Sequence, residues 1–119
     1  MSAFGQILEQ MVLRVPGAVG AIFADWEGEA VDQFAHIPPL EIQLVGAHWG
    51  VVFNAATQFL QKIGGGGIEE LWVEGDSALV FVRRVTERYY VVLATSRATH
   101  LGTARRELER SAQSLQREM

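Results

Sequence analysis

The chain is poor in the residue types that most metal and catalytic sites use. It has no cysteine, which excludes disulfides and thiolate metal sites, and Lys62 is its single lysine. None of the three histidines, His36, His48 and His100, has a histidine or carboxylate neighbour at metal-ligand spacing. No G-x-S-x-G nucleophile motif is present. The sequence therefore predicts no metal, no cofactor and no catalytic residues, and it favours a protein that is not an enzyme.

Long apolar runs and basic stretches are also missing. No segment reaches the roughly 18 uninterrupted apolar residues of a membrane span. Residues 1–15 contain Glu9 and lack the basic start and small-residue cleavage site of a signal peptide. The net charge is −4 and no basic stripe is visible, which argues against nucleic-acid binding. We expect a cytoplasmic protein with no membrane insertion and no nucleic-acid partner.

Hydrophobic residues are abundant, at 49% of 119 residues, whereas charged residues make up only 20%. This length predicts one domain, residues 1–119, with enough apolar material for a core. The low share of charge indicates that some of the surface is buried against a partner.

Hydrophobic periodicity and turn residues predict eight elements. Pro16 and Gly17 end the first helix, an Asp-Trp-Glu-Gly turn closes a hairpin, and four glycines at 64–67 end a long second helix. Two tight connections join three further strands. In chain order the predicted elements are helix 2–14, strands 18–24 and 29–35, helix 40–63, strands 68–74, 77–85 and 88–95, and helix 99–118.

The last two strands carry consecutive apolar residues, at 79–82 and 90–93, where a sheet with one covered face would show alternation. Both faces of the sheet are therefore expected to be covered. The order α-β-β-α-β-β-β-α predicts an α+β domain of three layers, with a mostly antiparallel five-stranded sheet between helices. Arg83, Arg84 and Arg88 surround the last hairpin and are interpreted as solvated charges; the alternative is an arginine finger for a nucleotide-binding partner.

The helix predicted over 40–63 is apolar on more than one side. At 100° per residue, one stripe is expected to face the sheet, and a second is centred roughly 80° away. A membrane surface does not suit the second stripe, because the polar face lacks lysines and arginines, and no element is left to cover it within the chain. We expect it to meet a second copy, with Trp49 and Phe53 as anchors. The sheet-facing stripe is Val45, Val52, Ala56, Phe59 and Ile63, and the dimer stripe is Ile42, Trp49, Phe53 and Leu60.

Two glycines, Gly46 and Gly50, lie in the middle of this helix. Each costs up to about 1 kcal/mol relative to alanine, so a reason for both is expected. They are either tolerated glycines at an exposed site or positions of close contact with a partner helix or a third protein.

Three segments carry a family resemblance: VPGAVGAIFADWEGEAV, IEELWVEGDSALVFVRRV and YYVVLATSRATHLGTARRELERSAQSL. Their order and spacing resemble the Roadblock/LC7 family, in its bacterial and archaeal branch, over nearly the whole chain. In that family a short polar turn leads to a Leu-Gly pair, here Leu101 and Gly102. The resemblance implies a profilin-like α/β/α sandwich.

The resemblance also implies a homodimer through the second helix and the edge strand 68–74, which adds Leu71 and Trp72 to the interface. Glu69 and Glu70 lie on that strand, and edge charges normally discourage strand pairing. By resemblance to GTPase regulators, the partner-binding candidates are Gly46, Ala47, Gly50 and Asn54. The expected function is that of a homodimer that modulates a small Ras-like GTPase. The alternative is a dynein-light-chain-like adaptor or scaffold subunit with no effect on a GTPase.

Overall fold

A computed structural model describes residues 2–119, which form three helices and one five-stranded sheet. The predicted order of elements is confirmed, and the largest shift of a strand boundary is at the third strand, which begins at Glu70 where 68 was expected. Within residues 2–119, no helix combines the length and apolar character that crossing a bilayer requires. The elements are α1 Ala3–Arg14, β1 Ala18–Asp25, β2 Ala30–Ala35, α2 Pro39–Lys62, β3 Glu70–Glu74, β4 Ala78–Arg84, β5 Tyr89–Ser96 and α3 Leu101–Arg117.

The strands run in the order β2-β1-β5-β4-β3, and every neighbouring pair is antiparallel. β5 lies at the centre of the sheet, which explains its continuous apolar run. Val91 and Leu93 face a core formed with α1 and α3, whereas Tyr90 and Val92 face α2 on the other side. The predicted three-layer α+β architecture is confirmed.

The helix ends follow from local hydrogen bonding. Ser2 Oγ accepts from the Gly5 N–H at 3.0 Å, and His100 Nδ1 accepts from the Thr103 N–H at 3.1 Å, so α1 and α3 both have a side-chain N-cap. α2 begins directly after Pro38 without such a cap, and it ends at Lys62, two residues before Gly64, whose φ of +77° suits glycine.

The rotation of α2 about its own axis differs from the prediction. Ile42 and Phe53 are 0% and 1% exposed and pack on the sheet, whereas Val52 and Phe59 are 42% and 67% exposed. The sheet-facing stripe therefore contains Ile42 and Phe53. Their assignment to a dimer interface is corrected, because their side chains are already buried within the protomer.

Gly46 and Gly50 are the physical reason for this orientation. A methyl group at Gly46 would lie 2.7 Å from Ile22 Cγ2, and one at Gly50 would overlap the Tyr90 hydroxyl. That hydroxyl donates to the Gly46 carbonyl at 2.9 Å. Neither exposure nor contact with another protein explains the two glycines: they allow the backbone of α2 to approach its own sheet.

Gly50→Ala is expected to lower the free energy of unfolding by about 1–3 kcal/mol, because the added methyl displaces the buried Tyr90 ring. Urea unfolding followed by circular dichroism measures the change. Gln58→Ala, at an exposed position of the same helix, is the control and should leave the stability nearly unchanged. An unchanged stability for Gly50→Ala would contradict this account of the helix.

Candidate functional site

The outward side of α2 is an apolar surface. Most side chains opposite the two glycines are aliphatic or aromatic and exposed to solvent, whereas a helix that only covers a sheet shows polar residues there. An exposed contiguous apolar patch of this kind is typical of an interaction surface. We call these residues the outer face of α2: Leu40, Leu44, Val51, Val52, Phe59 and Ile63.

An apolar groove of about 630 Å³ extends the outer face at the C-terminal end of α2. It continues onto Ile68, two residues before β3 begins, so the apolar surface leads from the helix to the edge of the sheet. Its lining residues are Ala56, Phe59, Leu60, Lys62, Ile63 and Ile68.

β3 is an edge strand that pairs with β4 along one side only. Trp72 and Val73 are partly exposed there, at 37% and 36%. The side chain of Glu70 points inward, where its carboxylate contacts Arg83 at 3.2 Å and Arg105 at 2.6 Å. Because Glu70 is neutralised within the protomer, it does not oppose pairing at this edge in the way that the sequence suggested.

The remaining predicted site residues differ in how far they are buried within the protomer. Trp49, Leu60 and Leu71 are half-buried, with Trp49 and Leu71 packed against the cluster beneath α2, while Trp72 lies at the open edge. Ala47 is half-buried and Asn54 is exposed, so both are accessible on one flank of α2. Gly46 and Gly50 are buried, and their assignment to a partner-binding surface is corrected for that reason.

The sequence pattern assigns Val51 to no interaction surface, although it is 71% exposed on the outer face. It also predicts that Val52 and Phe59 face the sheet, whereas both are exposed on the outer face. The signal that could have found them is the glycine pair. A close approach at Gly46 and Gly50 turns that side of the helix inward, which places Val51 outward at 100° per residue.

Trp26 contacts three elements at one end of the sheet, a role that the sequence does not predict. Its indole N–H donates to the Glu87 carbonyl at 2.8 Å, and its ring stacks on Phe53 and Tyr90 at centroid distances of 5.2 and 4.5 Å. It therefore connects the β1–β2 turn, the β4–β5 turn and α2.

A second groove, of about 420 Å³, opens beside this indole between α2 and the β4–β5 turn. Arg84 lies in its wall and donates through Nη2 to the Ile68 carbonyl at 2.6 Å. The expectation that Arg83 and Arg84 are merely solvated charges is corrected, since both are partly buried and hydrogen-bonded. The groove is lined by Trp26, Phe53, Asn54, Thr57, Gln61, Gly67, Arg84 and Glu87, and we call it the Trp26 groove.

In the described part of the chain, no three His, Cys, Asp or Glu side chains are placed to hold a metal ion. Burial, and secondarily the nearby Asp25 carboxylate, raises the pKa of Tyr90 to about 12. The phenol therefore keeps its proton, which it donates to the Gly46 carbonyl.

Solved structures resemble this fold at low sequence identity. A Roadblock/LC7 domain from Streptomyces avermitilis superposes with a TM-score of 0.89 and 18% identity, covering 96% of this chain and 95% of that one. A structure described as MglB with tetrameric arrangement gives 0.86 and 19%, covering 96% and 85%. The chain has the Roadblock/LC7 fold.

The profilin-like character of this Roadblock/LC7 fold is confirmed as well. Acanthamoeba castellanii profilin II superposes with a TM-score of 0.66 and 15% identity, covering 97% of this chain and 98% of that one. No protein-family model matches the sequence, and no curated protein matches it.

The raised pKa of Tyr90 predicts a loss of stability in alkali. The folded protein holds this proton more tightly than the unfolded chain, in which the phenol titrates near 10.0. The stabilisation is thus complete below pH 10 and is lost as the pH rises toward about 12. The free energy of urea unfolding should fall more steeply over this range in the wild type than in Tyr90→Phe. Tyr89→Phe, the control, should keep the steep decline; equal slopes in wild type and Tyr90→Phe would refute the prediction.

Proposed function

We propose that this chain is a homodimeric regulatory or scaffold protein that binds a small Ras-like GTPase and modulates its nucleotide cycle. The observation that carries the proposal is the outer face of α2, which is apolar although it lies opposite the side that covers the sheet. An exposed apolar surface of this kind suits binding.

Self-association is supported by the continuity between helix and edge strand. The outer face of α2 and the groove at its end lead through Ile68 to β3, where Trp72 and Val73 are partly exposed. A second copy that covered this surface would shield Phe59 and Ile63 from water and could extend the sheet across β3. A protein of the same fold, MglB, has been solved in a tetrameric arrangement, which supports association of this fold with itself.

Binding of a GTPase is supported by the resemblance to Roadblock/LC7 regulators and by the flank of α2 that carries Ala47 and Asn54. This flank is accessible and uncharged, and the β1–β2 turn lies near it, since a methyl group built on Gly28 would be 3.8 Å from the Ala47 methyl. Such a surface can hold a switch loop of the partner in one conformation without donating a catalytic group. Arg83 is engaged with Glu70, which makes it a poor arginine finger.

The alternative is an adaptor or scaffold subunit that has no effect on a GTPase. The exposed apolar surface of α2 favours this alternative equally. Binding that does not depend on the nucleotide, with unchanged hydrolysis and exchange rates, would distinguish it.

The double variant Val52→Glu with Phe59→Glu is expected to convert a dimer into a monomer of 13.2 kDa, because two carboxylates would be buried without partners. Light scattering at micromolar concentration measures the mass. Gln43→Glu adds one charge to an exposed position on the opposite flank of the same helix and should leave the dimer intact. A wild-type protein that is already monomeric under these conditions would refute the dimer.

The GTPase proposal is tested with a Ras-like GTPase encoded beside this chain. We expect its rate of GTP hydrolysis or nucleotide release to change when the protein is added. Ala47→Arg with Asn54→Arg should reduce the apparent affinity by about tenfold or more, since two large charged side chains enter the contact. Gln10→Arg, exposed on α1 beyond the sheet, is the control and should behave as wild type. Absence of binding and of any rate change would exclude the GTPase.

A further inference from the structure

The Trp26 groove lies apart from the surface assigned to the dimer. Asn54 and Gln61 lie roughly 160° around α2 from Val52 and Phe59, by the 100° rotation per residue. The groove is therefore on the opposite flank of the helix and stays open when the outer face is covered. Its chemistry also differs, because polar and aromatic side chains line it together.

One wall of the groove carries a positive charge without a carboxylate partner. Among residues 2–119, the neighbouring Arg83 of β4 and Arg105 of α3 contact carboxylates, whereas no acidic side chain lies within ion-pair distance of Arg84. Arg84 uses Nη2 for the Ile68 carbonyl, which leaves the other guanidinium N–H groups to face solvent in the groove.

The loop of four glycines makes room for this guanidinium. A methyl group at Gly67 would lie 2.6 Å from Arg84 Nη2, so any larger residue would push the arginine out of position. The hydrogen bond to Ile68 and this close backbone approach together hold Arg84 in the wall. A fixed guanidinium with free N–H groups is suited to a carboxylate, which it can bind through two parallel hydrogen bonds.

The opposite wall and the floor offer complementary groups. Asn54 and Gln61 stand two turns apart on the groove side of α2, where their amides can both donate to and accept from a peptide backbone. The Trp26 ring is half-buried by stacking on Phe53 and Tyr90, and its N–H is used by the Glu87 carbonyl, so the exposed part of the indole in the groove offers apolar surface to a side chain. A carboxylate, a backbone amide and an apolar side chain occur close together at the C-terminal residue of a peptide.

We propose that the Trp26 groove binds the C-terminus of a partner polypeptide, with the terminal carboxylate on Arg84, the last backbone amides on Asn54 and Gln61, and an apolar final side chain on Trp26. Its volume of about 420 Å³ lies within the usual range of small-ligand sites. Glu87 also lines the groove, and its carboxylate disfavours an anion there. Removal of this charge should therefore strengthen the binding of an anionic group.

The test is an NMR titration of the ¹⁵N-labelled protein with the tripeptide N-acetyl-Ala-Ala-Leu, once as the free acid and once as the C-terminal amide. The free acid should shift the Trp26 indole and Gly67 N–H resonances saturably. The amide should bind with an affinity at least about tenfold lower. A third peptide, amidated at its end and carrying an internal aspartate, separates the two sources of a carboxylate. Equal binding of acid and amide, or better binding of the internal aspartate peptide, would overturn the proposal.

Variants assign the effect to the groove. Arg84→Gln should lose about tenfold in affinity for the free acid, whereas Arg84→Lys should retain part of it, which controls for a loosened glycine loop. Glu87→Gln should strengthen binding about twofold to fivefold, because a repulsive charge is removed.

Arg88→Gln changes an exposed arginine of the same turn that does not line the groove and should have no effect. Unchanged affinity in Arg84→Gln would refute the site. The peptide titration requires neither the dimer nor a GTPase, so its outcome is independent of the proposed function.

Discussion

The direct contact between the backbone of α2 and the sheet is the constraint on which the rest of the molecule depends. At Gly46 and Gly50 the helix lies on Ile22 and Tyr90 with no space for even a methyl group. A helix held this closely cannot rotate about its own axis. The contact therefore decides which apolar side chains fill the core and which, such as Phe59, are left on the surface.

Tyr90 links this contact to the turns at one end of the sheet. Its hydroxyl donates to the Gly46 carbonyl, and its ring stacks on Trp26, which in turn is hydrogen-bonded to the Glu87 carbonyl. The position of α2 and the shape of the Trp26 groove are thus set by one continuous set of contacts. A buried hydroxyl without an acceptor would cost about 1–3 kcal/mol, so this arrangement is strongly favoured over a shifted helix.

The sequence predicted the fold well because hydrophobic periodicity and turn residues specify elements locally. The cover on both faces of β5, for example, follows from the unbroken apolar run at 90–93. The sequence could not predict the orientation of α2, because both sides of that helix are apolar. The two glycines that decide which side faces the sheet contribute no hydrophobicity. Trp26 was missed for a related reason: its role depends on Phe53, Tyr90 and Glu87, which are distant in sequence.

The charges around β3 show how the edge of the sheet is kept available. An acidic residue at an exposed edge normally blocks the approach of another strand, but the Glu70 carboxylate is 7% exposed and bound between Arg83 and Arg105. These contacts anchor the start of β3 to β4 and α3, while the other side of the strand has no partner within the described residues. Arg84, the next residue on β4, points toward the Trp26 groove. Adjacent arginines of one strand, with side chains on opposite faces of the sheet, therefore serve different surfaces: Arg83 neutralises the edge, and Arg84 supplies the charge of the groove.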